Sequence, residues 1–144
     1  MTTVAKPATT QLDMAQWFRI GLMATGAAVV SVLIVQFIAI ALWPDIVLFK
    51  PLDSYPRTVL FTVVPAIGAT AIFAWLAAHK PDPVRPFLII SVVFLLISFI
   101  PDYLLPVPDK TLLASSVAAF MHVVAGVVIV GMLVTGYRRQ IGHV

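Results

Sequence analysis

Four long apolar stretches, separated by segments rich in proline and charge, set the pattern of this chain. They cover residues 20–42, 58–78, 87–105 and 111–137. Each is close to the roughly 20 residues a helix needs to cross a bilayer core. The last is the cleanest, since no side chain between Lys110 and Arg138 carries a formal charge. At helical spacing Ser115, Ala118, Ala119, His122, Ala125 and Gly126 share one face of it, and Leu113, Val117, Phe120, Val124 and Val127 the other. Small residues let helices approach closely, whereas bulky ones suit lipid. Gly21, Thr25, Ala28, Val32 and Ala39 form a similar stripe on the first stretch; Thr58, Thr62, Ala66, Thr70 and Ala74 form one on the second. The predicted fold is all-α: a single domain over residues 1–144, an integral membrane four-helix transmembrane bundle with antiparallel up-down neighbours. Residues 1–16 read as a polar tail.

The segments between the stretches refine this picture. Trp17, Phe18 and Arg19 are expected to anchor the first helix among lipid headgroups. Pro44, Pro51 and Pro56 forbid a continuous helix over the longest connection, whose Ile46, Val47, Leu48 and Phe49 are expected to lie along the interface or cap the bundle. Residues 79–86 make a tight turn. The third stretch is apolar only up to Ile100, and its fourteen residues span about 21 Å of a core about 30 Å thick. Continuation as a kinked helix past Pro101 restores the length, and places Ser91, Ser98 and Asp102 on one face.

Composition narrows the class. Hydrophobic residues make up 61% of the chain and charged ones 10%, far below the quarter or so of a soluble domain. The lipid bilayer is therefore the expected surrounding. The net charge of +3 comes from Lys and Arg near helix ends and gives no support for nucleic-acid binding. Lys6, Arg19, Lys80, Arg85, Arg138 and Arg139 fall on one side, Lys50, Arg57 and Lys110 on the other. This bias predicts both termini in the cytoplasm. Cysteine is absent, which excludes disulfides, thiolate metal sites and iron–sulfur clusters.

Candidate chemistry centres on His122, eleven residues past Lys110 and so about 16 Å deep. An ionisable side chain at that depth points to function by default. Its structural alternative is a bond to Ser98, Gln36 or a freed carbonyl that fixes helix register. Asp102 and Arg57 are expected at the same end of their helices, where an ion pair would clamp them. Ser98, Asp102 and Ser115 then line a polar path toward His122, suited to a proton or a small ligand. A Ser–His–Asp triad is not expected, because Asp102 is placed about two turns or more from His122. His79 and His143 are predicted outside the core, and the chain has no Glu. No metal site, haem or other cofactor is expected, and no catalytic motif occurs.

Pro56-Arg57-Thr58, Pro65-Ala66-Ile67-Gly68-Ala69, Ser98-Phe99-Ile100-Pro101-Asp102 and Met121-His122 together resemble a family of small bacterial four-span membrane proteins of unknown function. The resemblance covers about residues 17–139. It implies four helices in a bacterial plasma membrane and directs attention to Arg57, Asp102 and His122. It implies no activity. The function expected from the sequence is that of a non-enzymatic subunit packing against membrane-protein partners or a second copy. The alternative is a binder or transporter of a proton or small ligand.

Overall fold

In a computed structural model, residues 12–106 and 108–142 are described. Among them are four α-helices: α1 (Met14–Leu42), α2 (Tyr55–His79), α3 (Val84–Leu104) and α4 (Leu112–Gly142). All four are long and apolar enough to cross a membrane, so this is a multi-pass membrane protein. Most of the predicted tail and His143 lie outside the described residues.

Two of the helices begin at side-chain caps. Asp13 Oδ1 accepts from the Gln16 amide at 2.7 Å, and Gln16 Oε1 accepts from the Asp13 amide at 2.8 Å. This reciprocal pair satisfies two amides that a helix start leaves bare and begins α1 at Met14. Thr111 Oγ1 accepts from the Ala114 amide and starts α4 with a single side-chain cap. The helix α3 passes through Pro101 to Leu104, as the length argument requires. Its twenty-one residues span about 31 Å. Lys110 Nζ donates to the carbonyls of Tyr103 and Leu105, which the helix end leaves without amide partners.

The start of α1 lies beside the end of α4, where Gln16 Nε2 donates to Gln140 Oε1 at 3.2 Å. There the core is aromatic. Phe73 stacks on Phe87 with centroids 4.3 Å apart and meets the ring edges of Trp17 and Tyr137. Trp17 itself stacks on Tyr137. At 8% exposure it is a core residue and not the headgroup anchor its position suggested. Phe18 and Arg19 remain on the outside. Gly21 is required nearby, since a Cβ there would stand 2.7 Å from Thr70 Cγ2.

At the other end the core is small and aliphatic: Val32, Ala39, Ala114, Ala118 and Met121. The connection between α1 and α2 folds over it as two 3-10 turns, Pro44–Leu48 and Lys50–Leu52. Ile46, Phe49 and Leu52 point into the core, while Val47 and Leu48 face out. The expected cap is therefore present. Gln36, fully buried in α1, helps to hold it: Nε2 donates to the Leu52 carbonyl at 3.0 Å.

Candidate functional site

The seam between α3 and α4 carries the polar groups. Ser115, one turn into α4, donates from Oγ to the carbonyl of Asp102 at 2.7 Å. Asp102 sits near the end of α3 at 5% exposure. Its Oδ2 lies 3.3 Å from His122 Nε2. The expected separation of two turns is thus closed, and the reason is geometric. Side chains tilt toward the start of their own helix. Asp102 lies near the end of α3 and His122 lies deeper in α4, so each side chain leans toward the other. His122 is ten residues into α4, about 15 Å from its first residue.

Asp102 Oδ2 makes no hydrogen bond of good geometry among the described residues, so the imidazole is its polar neighbour. The His122 side chain is 40% exposed, and that exposure falls at membrane depth. Toward the loop end the polar column continues. Tyr103 Oη donates to Ser116 Oγ at 3.3 Å, and the Lys110 ammonium binds the Tyr103 carbonyl.

Three other expected members are elsewhere. Arg57 does not pair with Asp102. Its guanidinium bonds Asp53, one turn earlier in the chain, and the Lys50 carbonyl. A partner four residues away closes a short loop at small entropic cost, whereas α2 and α3 meet at their opposite end through Phe73 and Phe87. Ser98 Oγ donates to the Leu95 carbonyl within its own helix. Gln36 is committed to the cap, with no donor to its Oε1 among the described residues. Two features were legible and missed: the Asp13-x-x-Gln16 capping box and the chance that side-chain tilt would join Asp102 to His122.

Among the described residues no group of three or more His, Cys, Asp or Glu side chains converges as a metal would need. An imidazole and a carboxylate in contact can share, take up or release a proton. No curated protein and no solved structure matches the chain. The match to one family model runs from residue 12 to residue 139, through all four helices and both members of the pair, and the chain belongs to the family of unknown function DUF6069.

Proposed function

We propose that the protein is a non-enzymatic membrane protein that binds a proton at the Asp102–His122 pair, reached along the α3–α4 seam. The observation that carries the reading is a nearly enclosed carboxylate 3.3 Å from an imidazole at membrane depth. Such groups are expensive in a bilayer and characteristically serve proton or ion movement. The bias of Lys and Arg supports a cytoplasmic location for both termini, which puts the open end of the seam on the opposite side. The test is infrared difference spectroscopy on the protein in lipid nanodiscs as the buffer is stepped from acidic to neutral. A protonation step should appear with carboxyl and imidazole bands, and both Asp102→Asn and His122→Gln should remove it while the helical signal persists. A titration identical in wild type and both variants would overturn the reading.

A second reading rests on α3, whose buried residues among those described are Phe87 and Asp102 alone. On that reading its bare face is covered by a second copy, and the protein is a subunit of an assembly. The absence of native cysteine makes this direct to check. Val93→Cys should form an interchain disulfide in native membranes if copies meet there, and none if lipid covers α3.

A further inference from the structure

We infer that the outer groove between α1 and α4 is a binding site for one anionic phospholipid. The groove is an open furrow of about 410 Å³, lined by Ile20 and Met23 of α1 and by Val127, Gly131, Thr135 and Arg139 of α4, among others. Its walls are apolar over most of their length, and its charged member stands at the termini end. Arg19 lies four residues before Met23, so it stands one turn beyond Met23 on the same face of α1. Two exposed guanidinium groups, one from each helix, therefore flank the mouth. Asp13, the nearest carboxylate on α1, is engaged in its capping box. Guanidinium groups pair with phosphate oxygens through two parallel hydrogen bonds.

The length of the groove selects the occupant. From Arg139 to Val127 is twelve residues, about 18 Å along α4. One leaflet of the hydrocarbon core is about 15 Å deep. The groove therefore runs from the headgroup region to the middle of the membrane. A partner helix would need a surface continuous across the whole membrane, while an acyl chain needs this half-length. Basic pockets between helices on the cytoplasmic side hold anionic headgroups in this manner.

The experiment uses the full chain purified in mild, uncharged detergent. Lipid retention is counted by native mass spectrometry, and the thermal midpoint is followed with added dioleoyl phosphatidylglycerol, dioleoyl phosphatidylcholine or inorganic phosphate. Phosphatidylglycerol should be retained at one per chain and should raise the midpoint; phosphatidylcholine and inorganic phosphate should do neither. Arg19→Gln with Arg139→Gln should weaken retention by about tenfold or more, the scale of one charge-assisted hydrogen bond. Gly131→Leu should abolish retention. A Cβ at Gly131 meets nothing within 4 Å, so this variant fills the groove and keeps its midpoint in lipid-free detergent. Equal retention of both lipids, an equal shift with inorganic phosphate alone, or unchanged retention in Gly131→Leu would each overturn the proposal. So would a dimer that Gly131→Leu dissociates, which would identify the occupant as a helix.

Discussion

Replacing His122 with Leu is expected to destabilise the protein by about 3 kcal/mol, and replacing Asp102 with Leu as well should recover most of that loss. Removing one member of a buried pair leaves the other without compensation, at a typical cost of about 3–5 kcal/mol. The lower end applies because the imidazole is half open. With Leu at both positions no polar group remains to be satisfied, and apolar replacement of a whole pair is often neutral or better. Asp102→Leu alone should cost less than His122→Leu, since it leaves an imidazole at the open edge of the seam in place of an enclosed carboxylate. Unfolding in mixed micelles by a denaturing detergent reads all three variants. Additive losses in the double variant would show that the 3.3 Å contact carries no coupling.

The second large effect belongs to the aromatic end. Phe73→Ala should cost about 2–3 kcal/mol by the same measurement. Phe73 is fully buried and touches the rings of Trp17, Phe87 and Tyr137. In water such a truncation costs about 3–5 kcal/mol, part of which is the transfer of the ring out of solvent. Helices already in lipid gain no such transfer when they associate, because the tails are as apolar as the ring. What remains is lost dispersion contact and the cavity. Phe73→Leu, which keeps most of the volume, should cost less than half as much. Equal losses for the two variants would mean that the cavity is not what matters.

The four helices were legible in the sequence because the bilayer demands long apolar runs, and three of the runs meet that length plainly, the third only once it is carried past Pro101. The continuation of α3 through Pro101 followed from the same length requirement. Helix starts were less legible, since Asp13 and Thr111 act through backbone amides that hydropathy does not weigh. Trp17 was misplaced for a related reason: its distance along the chain suggests a headgroup position, while Tyr137 and Phe73 offer its ring a core surface that only the tertiary arrangement reveals. The pair at the centre of the site shows the limit most clearly. Counting residues locates Cα atoms, and Asp102 and His122 are far apart by that measure. Their contact depends on opposed side-chain lean across two helices, which appears only once α3 and α4 are known to meet at Ser115.

The folded cap formed by residues 44–52 has a consequence for direction. It stoppers the small-residue core at one end, and Phe73, Phe87, Trp17 and Tyr137 stop up the other. On the proposed reading, the aromatic layer lies between the Asp102–His122 pair and the far end of the bundle, so a proton bound at the pair comes and goes by the α3–α4 seam. On that reading the protein registers the acidity of a single compartment, as a gauge set into the membrane wall in place of a conduit through it.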